Sequence, residues 1–541
     1  MPILTGGQAL VAQLLREGIE MVFGLPGVQL DWAFDALYEA RDHIRVIHTR
    51  HEQATSYMAD GYARTTGKVG MCLVVPGPGV LNAMAGLATA YACNSRVLCV
   101  TGQIPSEQIG KGRGFLHEIP YQLETLRSVT KWAARATDPA DIPSLVHEAF
   151  VQLFTGRPRP VALEIPPDVL QNAADVELVA PVRPSPPDPD PDLIEQAAQL
   201  LGRAERPLIF AGGGVLIAEA WNELRELAEL LEAPVVLTMD GKGALDDRHD
   251  LAQNIIAARE LTPRSDVILV VGTRFLQPAT SDWGPREQAI IQIDIDPEEI
   301  GRNIPPTLGI VADAKRALAA LLDRLPLYNR KRESRRPELR ALKERVTDLL
   351  WEVQPQASFA MALREALPED GIVVSESTQV GYWTWNAFPV YQPRTFLTSG
   401  YQGTLGFGFA TALGAKAGNP DRAVLSINGD GGFFYNLPEL ATMVQHRLDV
   451  ITVVFNDNAY GNVRRIQKER FGGRFIASEL YNPDFVLLAR SFGIEGVRVE
   501  TPERLRDVVT DAVRHPRPIL IEVPVGEMPS IWGILNAGRR S

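Results

Sequence analysis

Short apolar runs alternate with amphipathic stretches along the whole chain. Runs that are apolar throughout predict buried strands, and apolar positions at helical spacing predict helices between them. The predicted strands are 21–23, 45–48, 69–75 and 96–101, then 207–211, 234–238, 266–271 and 289–295, and finally 371–374, 423–428, 450–456 and 518–523. Such strands alternating with helices are typical of parallel sheets that are covered on both faces.

Two breaks in composition divide this pattern into three parts. A proline-rich stretch at 181–191 predicts an extended linker, and an Arg- and Lys-rich stretch at 325–337 leads into a charged helix. The sequence therefore predicts an α/β fold with three doubly wound domains, at 1–175, 190–330 and 355–541. Ligands of such sheets bind beyond the carboxyl ends of the strands, which is where the glycine-rich turns of this sequence fall.

Composition narrows the classes of function. The chain has 541 residues, 45% hydrophobic and 22% charged, with a net charge of −12 and no basic stripe, so a nucleic-acid partner is not expected. Its three cysteines, Cys72, Cys93 and Cys99, lack the spacing of a zinc site or disulfide framework. Without a signal peptide or an apolar stretch of membrane-spanning length, no membrane association is expected, and a cytoplasmic location follows by default.

Two neighbouring strands of the last part are predicted to end in acidic turns. The first ends in Gly429-Asp430-Gly431-Gly432, and the second in Asn456-Asp457-Asn458. Each aspartate can offer a carboxylate oxygen from adjacent strand ends, and the Ala459 carbonyl can add a third oxygen, which is the ligand type that Mg²⁺ prefers. One such turn alone would be an ordinary strand-to-helix connection, but the pair favours a metal site that holds a diphosphate.

At these motifs the chain resembles the thiamine-diphosphate enzyme superfamily, and most closely its acetolactate synthase-like branch, over nearly its whole length. In that superfamily the motif binds magnesium and the diphosphate of the cofactor. The residue aligned with Asp457 is commonly asparagine there, and aspartate is also an oxygen ligand. The resemblance implies that the diphosphate and metal are held by Gly429, Asp430, Gly431, Gly432, Asp457, Tyr460 and Gly461.

Glu52 lies in the segment Arg50-His51-Glu52-Gln53-Ala54. Taken alone, it is an acidic residue in the first turn of a helix, where the helix dipole favours it. The segment resembles the one that carries the activating glutamate of the family, which promotes loss of a carbon-bound proton within the cofactor. The cofactor then supplies the electron sink, while the protein sets geometry and electrostatics.

Four further segments resemble cofactor-binding parts of the family. In the stretch 399–406, the Gly403 carbonyl would meet the pyrimidine amine and Leu405 would be the apolar wedge that bends the cofactor. Over the diphosphate or pyrimidine would lie Glu376, Ser377, Thr378 and Gln379. Near the pyrimidine would lie Pro26, Pro76 and Asn82. In this family Glu52 of one chain serves cofactor bound by another, which implies a homodimer or homotetramer with active sites at the subunit interface.

The residues that choose the substrate depart from the acetolactate synthase pattern. His117 stands where the family usually has a pocket glutamine, and Gln29 stands where benzaldehyde lyase-type carboligases have a histidine. His117 could transfer protons near neutral pH, although a lone histidine is more often structural. Ile466 replaces the usual acceptor-pocket tryptophan. The adjacent Arg464 and Arg465 fit a site for a substrate carboxylate or a solvated surface pair equally well.

The central part resembles the FAD-binding domain of the family at 272–275 and 293–297. The Gly-Met-His-Gly stretch expected before these segments is missing, since the chain passes from Asp250 to Leu261 without it. We therefore expect no bound flavin, or only weak binding, and a central domain that is mainly structural.

Three functions remain open from sequence. The leading one is a carboligase that resembles acetolactate synthase and acts on a 2-oxo acid such as pyruvate. The second is a lyase or carboligase of 2-hydroxy ketones or 2-hydroxyacyl-CoA, in which His117 and Gln29 handle protons. The third is a non-catalytic member of the fold, but retention of Glu52, Asp430 and Asp457 argues against it.

Overall fold

The computed structural model describes residues 2–537. It contains three six-stranded sheets whose strands pair in parallel, together with one small antiparallel pair. This arrangement confirms the predicted α/β fold with three parallel sheets.

The first sheet has the strand order β3-β2-β4-β5-β7-β6, and β1 pairs with β8 outside it. Its strands are β1 (Ile3–Thr5), β2 (Met21–Gly24), β3 (Arg45–His48), β4 (Gly70–Val74), β5 (Val97–Gly102), β6 (Trp132–Arg135), β7 (Val161–Ile165) and β8 (Ala173–Asp175). Its helices are α1 (Gly6–Glu17), α2 (Asp31–Glu39), α3 (Glu52–Thr66), α4 (Pro78–Ala92), α5 (Gln122–Arg127), α6 (Ile142–Phe154) and α7 (Pro167–Gln171).

The central sheet has the order β11-β10-β9-β12-β13-β14, so successive strands are added on one side of β9 up to β11 and on its other side from β12 onward. Its strands are β9 (Leu208–Ala211), β10 (Val235–Leu237), β11 (Ala252–Gln253), β12 (Val267–Val271), β13 (Ala289–Asp294) and β14 (Leu308–Val311). Its helices are α8 (Pro191–Arg203), α9 (Gly213–Ile217), α10 (Trp221–Leu231), α11 (Ala258–Leu261), α12 (Leu276–Ala279) and α13 (Ala314–Arg324). The proline-rich linker is an irregular stretch between β8 and α8.

The third sheet has the order β16-β15-β17-β18-β20-β19. Its strands are β15 (Ile372–Ser375), β16 (Phe396–Leu397), β17 (Val424–Gly429), β18 (Val450–Asn456), β19 (Glu495–Arg498) and β20 (Ile519–Pro524). The helices are α14 (Arg336–Trp351), α15 (Gln356–Ala366), α16 (Gln379–Ala387), α17 (Phe407–Gly418), α18 (Asp430–Phe433), α19 (Glu439–Gln445), α20 (Gly461–Arg470), α21 (Phe485–Ser491), α22 (Pro502–Arg514) and α23 (Trp532–Asn536).

Alternate residues of the central strands enter apolar clusters on opposite faces of a sheet. In β4, Cys72 and Val74 belong to one cluster, whereas Met71 and Leu73 belong to another. Since both faces are buried, the strand has to be apolar at every position rather than at every second one. This is why the sequence shows a continuous apolar run there.

Helix α3 is locked against α17 of the third sheet through small residues. A Cβ atom at Gly61 would lie 2.1 Å from the Thr411 carbonyl oxygen, and one at Gly414 would lie 1.9 Å from the Met58 carbonyl oxygen. Only glycine allows two helix backbones to approach so closely. The close packing fixes Glu52, the first residue of α3, relative to the third sheet.

Candidate active site

Glu52 is held at the start of α3 by contacts on both sides. Its side chain is 9% exposed, and its Oε2 accepts a hydrogen bond of 2.9 Å from the Asn82 side-chain amide in α4. The preceding loop is tied to the third sheet, because the buried Glu439 carboxylate accepts bonds of 3.0 Å from the backbone N–H groups of Arg50 and His51. A partly desolvated carboxylate with one oriented donor can hold a proton donor of a bound molecule in a defined position.

Next to this loop, the imidazoles of His48 and His446 meet. His446 Nε2 lies 3.2 Å from His48 Nδ1, and the Arg45 guanidinium donates to the His446 carbonyl oxygen. Burial, together with the nearby His48 and Arg45, lowers the pKa of His446 from 6.5 to about 4. The folded chain therefore resists protonation of His446.

A stability measurement against pH tests this pair. Because the pKa of His446 is lower in the folded state, the unfolded chain binds more protons between about pH 6.5 and pH 4, so stability is lost as the pH falls through that window. In thermal unfolding from pH 7 to 4.5, His446→Gln should lose less stability than the wild type. His43→Gln, at an exposed turn, is the control and should behave like the wild type. Equal pH dependence in the wild type and His446→Gln would contradict the assignment.

The structure brings Gln29 and His117 together, as two residues of one pocket require. Gln29 Oε1 lies 3.1 Å from His117 Nδ1, and the Gln29 side-chain amide donates to the Leu116 carbonyl oxygen over 3.1 Å. The His117 backbone packs on Gly77, where a Cβ atom would lie 2.3 Å from the His117 carbonyl oxygen. Pro76 is buried beside this turn, and Pro26 is exposed in the loop that leads to Gln29.

Asp430 and Asp457 lie at the carboxyl ends of the paired strands β17 and β18. Burial raises the pKa of Asp430, and burial together with the charge of Asp430 raises the pKa of Asp457 to about 7. Two carboxyls so placed repel each other when both are charged, and a hard cation between them would remove that cost. The donor set therefore fits a magnesium ion.

After Asp457, the carbonyl oxygen of Ala459 takes no part in the hydrogen bonds of the adjacent β-bridge. Ala459 forms an antiparallel bridge with Glu479, closed by bonds from Tyr460 N–H to Ser478 and from Leu480 N–H to Asn458. These bonds involve the neighbours of Ala459, so its own carbonyl is left outside the bridge. Among residues 2–537 no group of three or more His, Cys, Asp or Glu side chains could hold a metal ion.

Asn482 was not found from the sequence, yet it organises the acidic pair. Its side-chain amide donates to Asp430 Oδ2 over 2.6 Å and to Asn456 Oδ1 over 2.9 Å. It lies in an irregular loop well after Asp457 and belongs to no motif, so no pattern in the sequence marks it.

Glu376, at the end of β15, connects the segments that were assigned to the two parts of the cofactor. Its Oε1 accepts a 2.5 Å hydrogen bond from Gly406 N–H and lies against Gly432, where a Cβ atom would be 2.0 Å away. Burial raises the pKa of Glu376 to about 8, so it carries a proton at neutral pH. Its other oxygen is buried without a hydrogen-bond partner within residues 2–537.

The remaining predicted cofactor residues surround these carboxyls. Thr378 lies against Gly429, Gln379 lies against Gly461, and the Tyr460 ring lies against Gly431. Ser377 precedes Thr378 in the turn after β15. Leu405 is half-buried and Gly403 is exposed, with a positive φ of 61°.

Arg464 and Arg465 of α20 are both paired with carboxylates. Arg464 lies 3.5 Å from Glu479, and Arg465 lies 2.5 Å from Glu469. They line a crevice of about 660 Å³ beside Asp457. The C-terminal segment packs against the same helix, since the Trp532 indole N–H donates to Asn462 Oδ1 over 3.1 Å.

The central segments that resemble a flavin domain line a larger crevice. It measures about 1020 Å³ with the solvent at its mouth and lies at the carboxyl ends of the central strands, beside Gly213, Gly272 and Asp294. Arg157 from the first domain closes one side and pairs with Glu299 at 3.0 Å. Burial raises the pKa of Asp294 to about 6.

Known proteins match the whole of this architecture. Three family descriptions for a thiamine pyrophosphate enzyme match in order: the N-terminal TPP binding domain at 4–125, the central domain at 194–321 and the C-terminal TPP binding domain at 376–523. The chain belongs to the thiamine pyrophosphate enzyme family. Thiamine pyrophosphate is the same compound as thiamine diphosphate, and the predicted cofactor is thereby confirmed.

Relatives that align over nearly the full length of this chain show to which branch of the family it is most similar. The chain is 35% identical to a "Probable acetolactate synthase large subunit" of Methanocaldococcus jannaschii, over 99% of this chain and 94% of the relative. It is 34% identical to an "Acetolactate synthase" of Arthrospira platensis, over 96% and 94% of the two chains. It is 35% identical to a "Probable 2-ketoarginine decarboxylase" of Pseudomonas aeruginosa, over 94% and 91%. This thiamine pyrophosphate enzyme is therefore acetolactate synthase-like, as the motifs predicted.

Within one chain, Glu52 and the acidic pair have different side-chain hydrogen-bond partners. The side-chain partner of Glu52 is Asn82, while that of Asp430 is Asn482, and within residues 2–537 no hydrogen bond links Glu52 to either aspartate. Within residues 2–537, no helix is both long and apolar enough to cross a membrane.

Proposed function

We propose that this enzyme decarboxylates a 2-oxo acid such as pyruvate and transfers the resulting acyl carbanion equivalent to a carbonyl acceptor. The observation that carries the proposal is the full-length similarity to acetolactate synthases, in a chain that keeps Glu52 and the Asp430–Asp457 pair. The similarity to a decarboxylase supports the first half of the reaction.

We propose Mg²⁺ as the metal, held by Asp430, Asp457 and the Ala459 carbonyl. Thiamine diphosphate supplies the electron sink for a carbanion beside a carbonyl when it is bound. Glycine turns at Gly431 and Gly432 would let its diphosphate approach the backbone amides, and Glu376 would hold those turns against the 403–406 segment. Leu405 would fill the space between the two rings of the cofactor.

Glu52 is proposed to hold a proton against the pyrimidine ring, oriented by Asn82. Because the carboxylate is partly shielded from water, its hydrogen bond to a ring nitrogen would be stronger than in bulk solvent. His117 and Gln29 are proposed to handle protons at the substrate: the imidazole delivers or removes the proton, and the Gln29 amide, which does not titrate, orients the imidazole. Their mutual hydrogen bond restricts the imidazole to a defined orientation.

We propose that the enzyme is a cytoplasmic homodimer or homotetramer, with Glu52 of one subunit facing the acidic pair of another. The resemblance of the Glu52 segment to that of the thiamine-diphosphate enzymes, in which this glutamate serves cofactor bound by another chain, supports a shared site. The domain boundaries at 1–175, 190–330 and 355–541 remain a prediction.

Product analysis tests the proposed reaction. Incubation of the enzyme with pyruvate, thiamine diphosphate and Mg²⁺ should release carbon dioxide and form acetolactate. Omitting either cofactor is the control and should stop both. If no member of a panel of 2-oxo acids, including 2-ketoarginine, released carbon dioxide, the proposal would be wrong.

A lyase of 2-hydroxy ketones is a second candidate, favoured by the Gln29–His117 hydrogen bond. These two groups depart from the acetolactate synthase pattern and fit proton transfer to and from a hydroxyl. Cleavage of acetoin or benzoin without carbon dioxide release would support it. Failure to cleave either acyloin would leave only the decarboxylating reaction.

A further inference from the structure

Gln122, the first residue of α5, is a buried polar side chain that bridges two backbone segments. It is 2% exposed, and both ends of its amide are hydrogen-bonded. Its Oε1 accepts a bond of 2.7 Å from Gly77 N–H, and its Nε2 donates to the Gly102 carbonyl oxygen over 3.0 Å. One side chain therefore ties the turn before α4 to the carboxyl end of β5.

Each of the two glycines packs on one member of the Gln29–His117 pair. A Cβ atom at Gly77 would lie 2.3 Å from the His117 carbonyl oxygen, and one at Gly102 would lie 3.2 Å from Gln29 Cβ. The positions of both glycine backbones therefore set how the two side chains approach each other. The hydrogen bond of 3.1 Å between His117 and Gln29 depends on that approach, and Gln122 acts on both backbones at once.

The backbone of His117 needs support from its surroundings. Its φ is 67°, in the left-handed region that residues other than glycine rarely adopt. Such a conformation costs free energy and persists only where the surrounding structure holds it in place. The turn at Gly77 lies directly against His117 and supplies part of this support.

A buried ion pair fixes the orientation of the Gln122 amide. Its Nε2 also donates to Glu164 Oε2 over 2.8 Å, and the other Glu164 oxygen accepts a hydrogen bond from the Arg135 guanidinium. Glu164 is fully buried in β7, where a carboxylate is costly unless it is paired. Because a carboxylate only accepts hydrogen bonds, the Gln122 NH₂ group has to face it, which leaves the Gln122 oxygen for Gly77.

We propose that Gln122 is a positioning residue, which holds the His117 imidazole and Gln29 in the geometry required for proton transfer at the substrate. It acts through the backbones of Gly77 and Gly102 rather than on the substrate itself. The inference rests on the proposed proton role of His117. Displacement of a catalytic group by about 1 Å can cost about 100-fold in rate, so a residue that fixes its backbone has a large effect on turnover.

Gln122→Leu tests the proposal in the holoenzyme, at saturating thiamine diphosphate and Mg²⁺. Leucine occupies a similar volume but leaves Gly77 N–H without its acceptor. The turnover number for a 2-oxo acid should fall by about 10- to 100-fold. Amide hydrogen exchange, measured by mass spectrometry, should become faster at 76–79 and 115–118, because both segments lose their support.

Gln13→Leu is the matched control, because Gln13 has the same kinds of contacts elsewhere in the fold. It is fully buried, its Oε1 accepts a bond of 2.9 Å from Val179 N–H, and its Nε2 donates to Glu17, which is itself buried in an ion pair. Its melting temperature should fall about as far as that of Gln122→Leu. Its turnover, and its exchange at 115–118, should match the wild type. An equal loss of turnover in the two variants would indicate a merely structural role and overturn the proposal.

A double-variant cycle shows whether Gln122 acts through His117. In a His117→Ala background, Gln122→Leu should lower turnover by less than about twofold, because the group that it positions is already gone. The same loss in both backgrounds would overturn the proposal. Wild-type turnover in His117→Ala alone would overturn the proposed proton role, and this inference with it. A slow His117→Ala enzyme, with unchanged turnover and exchange in Gln122→Leu, would overturn this inference alone.

Discussion

Glu52→Gln should abolish most turnover while leaving cofactor binding nearly unchanged. Glutamine keeps the size of the side chain and the position of an oxygen for Asn82, but it cannot accept or hold a proton as a carboxylate does. Loss of such a proton-handling group typically costs about 10²- to 10⁴-fold in rate. Calorimetry of thiamine diphosphate binding, with the rate of 2-oxo acid turnover, separates the two effects.

The control for this variant is an exposed carboxylate of the same domain. Glu124 lies in α5, is 59% exposed and pairs only loosely with Arg127 at 3.8 Å. Glu124→Gln should turn over substrate at the wild-type rate. A Glu52→Gln enzyme with more than about a tenth of wild-type turnover would contradict the role assigned to Glu52.

Asp430→Ala should mainly weaken binding of the cofactor. The change removes one of two proposed metal carboxylates and leaves Asn482 without its closest acceptor. Since changes behind a metal ligand already cost about 10- to 100-fold in affinity, loss of the ligand itself should cost at least about 100-fold. Titration of thiamine diphosphate in the presence of Mg²⁺ measures this directly.

Two further variants serve as comparisons for Asp430→Ala. Asn482→Ala leaves both carboxylates in place and should lose about 10- to 100-fold. Asp421→Asn, at an exposed position before β17, should bind like the wild type. Unchanged cofactor affinity in a folded Asp430→Ala enzyme, checked by circular dichroism, would count against the metal site.

The sequence predicted the buried strands and the acidic turns because both have local signatures. β17 and β18 are mostly apolar and almost entirely buried, and each runs directly into an aspartate. The two edge strands of the third sheet were not predicted, since β16 has only two residues and β19 exposes Glu495 and Arg498.

Contacts between segments that are far apart along the chain could not be predicted from the sequence. Asn82 was assigned to the cofactor by resemblance, but its hydrogen bond to Glu52 depends on how α4 packs on α3. The contacts of Asn482 and Gln122 follow only from tertiary packing, since neither residue belongs to a spaced motif. Local chemistry could be predicted from sequence, and the residues that orient it could not.

The central claim is that Glu52 of one subunit acts on cofactor anchored by Asp430 and Asp457 of another. Mixing inactive Glu52→Gln and Asp430→Ala chains, after dissociation and reassembly, tests it most directly. A shared site predicts that mixed dimers regain activity, because one of their two sites combines an intact Glu52 with an intact acidic pair. A site formed within one chain predicts no recovery, and an inactive mixture of confirmed mixed dimers would contradict the account.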